Sequence, residues 1–249
     1  MLSWIDDHKP LPPASAAQGP DSVAPGLVAA GGRVTPERLD EAYRKGIFPW
    51  FSPGQPALWW SPDPRMVLPI ADFRLSHTLK KSLRRFRRTP GCEWRFDSAF
   101  AQVIEACATT PREGQDGTWI VPSMVDAYSA WHRAGRVHSC ETWVDGTLVG
   151  GLYFVAIGGM AFGESMFAHR TDASKLALAA FVVACRARGI ALVDCQQNTT
   201  HLASFGAREI SAAAFQEHLA RTLAMPDVVD WSYDENAWAL LESQDFEAR

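Results

Sequence analysis

An α+β fold is predicted for this 249-residue chain by three observations. Two predicted strands, Val137–Val144 and Thr147–Ile157, are joined by Asp145-Gly146, a strong signal for a tight type I′ hairpin. A third, residues 159–167, follows directly. An apolar helix over 173–188, stopped by Gly189, then leads into the strand Ile190-Ala191-Leu192-Val193. Antiparallel strands followed by a β-α-β step give a mixed sheet covered by helices.

The remaining elements are read from local stop and start signals. Residues 1–34 are rich in Pro, Ala and Gly and are expected to form an extended, partly mobile lead-in. Thr35 is a good N-cap, Pro36 suits the first helical position, and Gly46 ends the helix they begin. Prolines at 49, 53, 56, 62 and 64 exclude a long helix or a central strand there and leave a folded loop pinned by aromatics. A boundary near residue 70 divides a Pro/Trp-rich N-terminal domain, 1–70, from a second domain, 71–249. Within the latter, Asp97 is expected to cap a helix reaching about residue 108, and Pro122–Arg133 is a helix stopped by Gly135. A short helix over 201–205, a brief strand over 208–210 and a helix capped by Ser211 complete the core.

Composition narrows the class of molecule. Hydrophobic residues make up 47%, enough to fill a core, and the net charge of -4 does not announce a nucleic-acid binder. Five cysteines, odd in number and without a CxxC pair, argue against a disulfide framework and against a metal site. Asp6, Asp7, His8 and Lys9 interrupt any leader-like apolar run, and no stretch approaches the ~20 apolar residues of a membrane span. A soluble cytoplasmic protein is expected.

Asp194-Cys195-Gln196 ends the last core strand and delivers a carboxylate and an amide together. Such a pair suits a neutral amine nucleophile: one group orients it and the other receives charge. The weaker alternative for Asp194 is a cap for the segment that follows. Strand alternation turns Cys195 to the opposite face, as a packed core thiol. Glu164, in Gly163-Glu164-Ser165, is a second carboxylate after an apolar strand, either functional or a partly exposed strand end. His201 reads as a structural histidine. Trp50, Trp59 and Trp60 crowd the Pro-rich loop, as a miniature core or as a platform for stacking a nucleobase; Trp119 is the other stacking candidate. Lys80, Lys81, Arg84, Arg85, Arg87 and Arg88 put six positive charges in nine residues. They form a solvated face or, docked through Leu83 and Phe86, a phosphate-binding patch. In Arg170-Thr171-Asp172-Ala173-Ser174-Lys175, Ala173 and Lys175 stand where a CoA-binding loop carries glycines, and Asp172 favours capping over anion binding.

Together these residues resemble the bacterial leucyl/phenylalanyl-tRNA–protein transferase family. The resemblance runs from about residue 31 to 215. It is carried by Gly46-Ile47-Phe48-Pro49-Trp50-Phe51, by Leu58-Trp59-Trp60-Ser61-Pro62-Asp63-Pro64-Arg65 and by Gly117-Thr118-Trp119-Ile120. His138-Ser139-Cys140-Glu141, Gly150-Gly151-Leu152-Tyr153, Gly163-Glu164-Ser165-Met166-Phe167 and Asp194-Cys195-Gln196 continue it, and 201–207 closes it. Phe154 departs from a usual glycine, which implies crowding of the sheet, and Ala161 from a larger apolar residue, which implies a roomier pocket.

The resemblance implies an acetyltransferase-like (GNAT) mixed-sheet domain behind a small N-terminal one, working as a monomer without CoA, metal or other cofactor. It implies transfer of Leu, Phe or, less readily, Met from aminoacyl-tRNA to the N-terminal Arg or Lys of a protein, marking it for degradation. By position, Asp194 and Gln196 are the catalytic relay beside the acceptor amine, and Glu164 holds the reacting groups. Tyr43, Trp50, Trp119 and Tyr128 surround the aminoacyl-adenosine. Leu152, Leu178, Phe181 and Val193 line the side-chain pocket, and the basic run 80–88 meets the tRNA. Two rivals stand beside this reading: a CoA-dependent N-acetyltransferase of the same fold, and a non-catalytic RNA-binding module.

Overall fold

The computed structural model describes residues 2–111 and 119–239. Among these, the strands form two sheets. The smaller contains β1 (Ser3–Ile5), β2 (Leu27–Gly31), β3 (Phe48–Pro49) and β4 (Leu58–Trp60) in the order β1-β2-β4-β3. The first two run parallel; the other pairings are antiparallel. Helix α1 (Pro36–Arg44) lies between β2 and β3 in the chain, with the Thr35 hydroxyl accepting from the Arg38 backbone N–H.

Two expectations need correction here. The stretch read as a mobile lead-in supplies β1 and β2, with Ser3 paired to Ala29. The loop read as excluding a central strand contains β4, which is bonded along both edges. Pro56 and Pro62 flank this strand, so neither removes a ladder donor from it.

The larger sheet has seven strands: β5 (Arg65–Pro69), β6 (Cys92–Phe96), β7 (Val137–Val144), β8 (Thr147–Ile157), β9 (Met160–Ala168), β10 (Leu192–Gln196) and β11 (Arg208–Ile210). Their order is β11-β5-β10-β9-β8-β7-β6, and only β9 and β10 are parallel. The chain thus passes between sheets after Trp60, and β5 belongs with β10 and β11. The hairpin turns at Asp145 (φ 49°) and Gly146 (φ 73°), the left-handed pair a type I′ turn requires.

Six further helices are α2 (His77–Arg88), α3 (Phe100–Thr109), α4 (Pro122–Arg133), α5 (Ala173–Ala187), α6 (Thr200–Ser204) and α7 (Ala212–Leu223). Asp97 does not cap α3. Its carboxylate accepts from the Ser139 N–H and pairs with His138 Nδ1, while Glu141 accepts from the Ala99 N–H at the helix start. No described helix is long and apolar enough to cross a membrane.

The centre of the larger sheet is covered on both faces, and β7 and β8 are buried along most of their length. Along β8, Tyr153, Val155 and Ile157 enter one core with α1, α3, α4 and the smaller sheet. Leu152, Phe154 and Ala156 enter the other with α2, α5 and the C-terminal segment around Trp231 and Trp238. Gly150 permits the close approach of α5: a Cβ there would sit 2.5 Å from that of Ala173. Phe154 does not crowd the sheet. The β8–β9 register shifts beside it, setting it opposite Gly163, and its ring packs 4.4 Å from that of Phe181. Ala161 is fully buried in the same core as Phe154.

Candidate active site

The functional groups meet where β10, after the α5 crossover, lies between β5 and β9. Pairing of β10 with β5 is regular from Leu192 to Asp194 and then slips, so that Gln196 faces Met66. Gln196 takes a left-handed conformation (φ 63°), uncommon for a residue with a side chain. Its backbone N–H donates to Asp194 Oδ1 at 2.9 Å, which holds the kink.

Asp194 itself is enclosed. Its carboxylate receives both arms of Arg65, Nε to Oδ1 at 2.8 Å and Nη2 to Oδ2 at 2.6 Å. The two side chains are 0% and 1% exposed. The Arg65 guanidinium is stacked between the rings of Phe48 and Phe215, 4.8 and 4.6 Å from their centroids. The sequence reading set Asp194 beside the acceptor amine; in the structure Arg65 and the Gln196 N–H occupy its oxygens, and Gln196 carries the polar function outward. Arg65 escaped notice except as part of a motif. A cation opening an apolar strand was the available signal, since burying it requires a charged partner.

From Gln196 the chain of polar groups continues. Its Nε2 donates to Glu164 Oε1 at 2.9 Å, the Tyr128 hydroxyl donates to Glu164 Oε2 at 3.3 Å, and the Tyr43 hydroxyl lies 2.6 Å from that of Tyr128. Burial, reinforced by the nearby Asp194 charge, pushes the Glu164 pKa up to about 8, against the pull of its hydrogen bonds from Tyr43, Tyr128 and Gln196. Burial and the Glu164 charge hold both phenols well above their usual range, so they remain neutral. A carboxyl poised near neutrality, in contact with an amide, can exchange a proton with a bound amine.

Glu164 and Gln196 stand on the wall of a cavity of about 410 Å³. Leu152, Leu178, Phe181 and Val193 line it too, so all four predicted pocket residues come together. Cys195 lines it as well. Alternation holds as far as this residue: Val193 and Cys195 face the cavity while Asp194 turns the other way to Arg65, and it is the left-handed Gln196 that leaves the pattern and reaches the cavity too. Burial and the Asp194 charge hold the Cys195 thiol well above its ordinary pKa, so it is protonated. His201 is exposed at the cavity edge, its ring edge-on to Phe205.

The other predicted residues fall outside the cavity. Trp50 is 40% exposed, with its ring against Trp60 and its carbonyl accepting from Trp60 Nε1. Trp119 packs half-buried against the core that holds Tyr43 and Tyr128; Gly117 and Thr118 beside it lie outside the described residues. Helix α2 buries Leu79, Leu83 and Phe86 and exposes Lys81, Arg84, Arg85 and Arg88 along a groove of about 500 Å³. Lys80 and Arg87 are half-buried, the latter over the ring of Trp238. Asp172 gives α5 no side-chain cap; its carboxylate accepts instead from Ser82 Oγ and Lys175 Nζ, tying α5 to the basic helix.

Comparison with known proteins places this chain in a family. Residues 67–220 match the model described as leucyl/phenylalanyl-tRNA protein transferase, and residues 32–63 match the model of its N-terminal domain. The leucyl/phenylalanyl-tRNA–protein transferase of Methylibium petroleiphilum is 62% identical over 97% of this chain and 91% of its own length. That of Leptothrix cholodnii is 61% identical over 97% and 95%, and that of Ralstonia pickettii 52% identical over 98% and 100%. Among solved structures, the C-terminal domain of a putative lysylphosphatidylglycerol synthetase from Agrobacterium fabrum has a TM-score of 0.36 at 13% identity, covering 87% of this chain and 72% of that one. A likeness that remote carries no argument. The family models and near-full-length relatives do: this chain belongs to the leucyl/phenylalanyl-tRNA–protein transferase family and is an aminoacyltransferase acting between aminoacyl-tRNA and protein.

Proposed function

We propose that this cytoplasmic enzyme moves leucine or phenylalanine, and methionine less readily, from tRNA to the N-terminal Arg or Lys of acceptor proteins, marking them for degradation. The observation that carries this reading is the cavity of about 410 Å³, apolar at Leu152, Leu178, Phe181 and Val193 and polar at Glu164 and Gln196. An apolar amino-acid side chain enters it and is read by shape. Its ester carbonyl is then presented to the amide and the carboxyl.

The chemistry joins the acceptor α-nitrogen to the ester carbonyl carbon and breaks the bond from that carbon to the ribose oxygen. Gln196 spends its N–H on Glu164, which leaves its carbonyl oxygen to accept from the attacking amine. Glu164 takes the amine proton as the new bond forms and returns it to the departing ribose oxygen. An α-amine has a pKa of about 7.7–8.0, so donor and base are matched. Asp194 and Arg65 touch neither substrate and position Gln196. Alignment in the cavity supplies much of the remaining barrier reduction, up to ~7–11 kcal/mol in well-aligned cases. The ester is already activated, so the scheme needs no CoA or metal.

In this reading Tyr43, Tyr128, Trp50 and Trp119 surround the aminoacyl-adenosine, and Lys80, Lys81, Arg84, Arg85, Arg87 and Arg88 bind the acceptor stem. The seven-stranded unit is taken as acetyltransferase-like (GNAT), with its parallel β9–α5–β10 step carrying the reacting groups, and the enzyme acts as a monomer. The decisive experiment mixes labelled Phe-tRNA with one peptide beginning in Arg and one beginning in Ala. Label on the Arg peptide alone is the expected result. Label on both refutes the acceptor choice, and label on neither refutes the reaction.

A further inference from the structure

We propose that Arg65 is a positioning residue of the transfer reaction, fixing Asp194 and, through it, the left-handed backbone that aims the Gln196 side chain at Glu164. The inference rests on the transfer chemistry above and adds a residue that touches none of the reacting atoms.

Four observations carry it. The contact is bidentate, at 2.8 and 2.6 Å, and a guanidinium fork fixes a carboxylate in rotation as well as in position. Oδ1, the oxygen that receives Arg65 Nε, is also the one that receives the Gln196 N–H. A turn of the Asp194 carboxylate therefore moves the anchor of a backbone already in a sparsely populated conformation. Finally, Arg65 has little freedom of its own, being stacked between Phe48 and Phe215 and 1% exposed.

The bland alternative is an ion pair that only stabilises the core. A buried pair is weak evidence for stability, because desolvating two charges offsets much of their attraction. The arrangement is better accounted for by what it holds. Position is what this reaction demands, and a displacement of about 1 Å at a reacting group can cost on the order of 100-fold in rate.

The test replaces the fork while retaining the charge. Arg65→Lys is expected to bind Phe-tRNA with wild-type affinity and to leave the peptide KM unchanged, while kcat falls at least about tenfold. The Gln196 side-chain amide resonance, recorded without substrate, is expected to move. Arg65→Lys that folds, keeps that resonance in place and turns over at the wild-type rate overturns the proposal, as does a loss confined to thermal stability. Should Arg65→Lys not fold, Phe215→Leu decides: it removes one of the two rings against the Arg65 guanidinium, and Phe215 does not line the cavity. A several-fold drop in kcat at constant KM is then expected, and unchanged turnover refutes the proposal. Wild-type protein that labels neither peptide would instead sink the transfer reading, and the amide resonance would still report on Arg65.

Discussion

The hydroxyls of Tyr43 and Tyr128 lie 2.6 Å apart, joining α1, which precedes the smaller sheet's last two strands, to α4 of the larger unit. Tyr128 passes this contact on to Glu164, so one end of the polar chain is anchored by the N-terminal part of the protein.

Removing that anchor changes the acid–base behaviour of Glu164 in a definite direction. Hydrogen bonds from the phenols favour the ionised carboxylate and partly offset burial and the Asp194 charge. In Tyr128→Phe the Glu164 pKa rises beyond about 8, and the alkaline-rising limb of kcat moves to higher pH. A kcat–pH profile with labelled Phe-tRNA checks this; an unmoved limb argues that Glu164 is not the titrating base.

The same carboxyl tilts stability with pH. Its folded pKa of about 8 exceeds the ordinary glutamate value of 4.5, so between these limits the folded state holds a proton that the unfolded state has lost. That contribution is complete below about pH 4.5 and fades as pH rises towards 8. Glu164→Gln carries no such proton, so its denaturation midpoint is expected to decline less than that of wild type over this interval. Parallel declines would show that Glu164 is ionised in the folded protein throughout.

Cavity size sets the choice of amino acid. Leu178→Phe adds bulk to the wall beside Phe181 and excludes the larger substrate side chain first. We expect kcat/KM for Phe to fall about tenfold or more and that for Leu to fall less, in keeping with the ~1–3 kcal/mol that one methylene commands in such pockets. Competing Leu-tRNA and Phe-tRNA in one reaction measures the ratio directly.

The basic helix is tested by salt. Arg88 is exposed on the groove of α2, and a side chain meeting an RNA phosphate releases counterions on binding. Arg88→Ala is expected to weaken tRNA affinity and to reduce the slope of log K against log salt by about 1. A parallel line of the same slope would place Arg88 off the RNA.

Gly150→Ala probes the packing of α5. Its Cβ would meet Ala173 Cβ at 2.5 Å and the Ala173 carbonyl carbon at 2.8 Å, and backbone has to shift. A loss of about 1–3 kcal/mol in urea unfolding follows. Ser174 and Leu178 on the same helix line the cavity, so the KM for Phe-tRNA rises as well.

Local signals in the chain were legible. Thr35-Pro36, Pro122 and Asp145-Gly146 mark element boundaries within a few residues, and each element stands where they predict it. Glu164 and Gln196 stood out as polar groups on apolar strands, whereas the four pocket residues were named only through the family resemblance, and the cavity brings them together. What did not show was long-range. The strands β1 and β4 are three residues long, and their pairing depends on partners distant in sequence. The concealment of Asp194 depends on a cation 129 residues away, and no periodicity announces such a match. The turn that brings Gln196 to the cavity likewise rests on its own left-handed backbone, which composition does not forecast.

Phe48, Arg65 and Phe215 come from three separate regions of the chain and converge behind the amide that faces the cavity. A chimera exchanging the first sixty residues between two relatives would inherit one ring of this clasp from each parent. Its turnover would then depend on whether the inherited halves grip the guanidinium alike, even though none of the exchanged atoms meets a substrate at the amide.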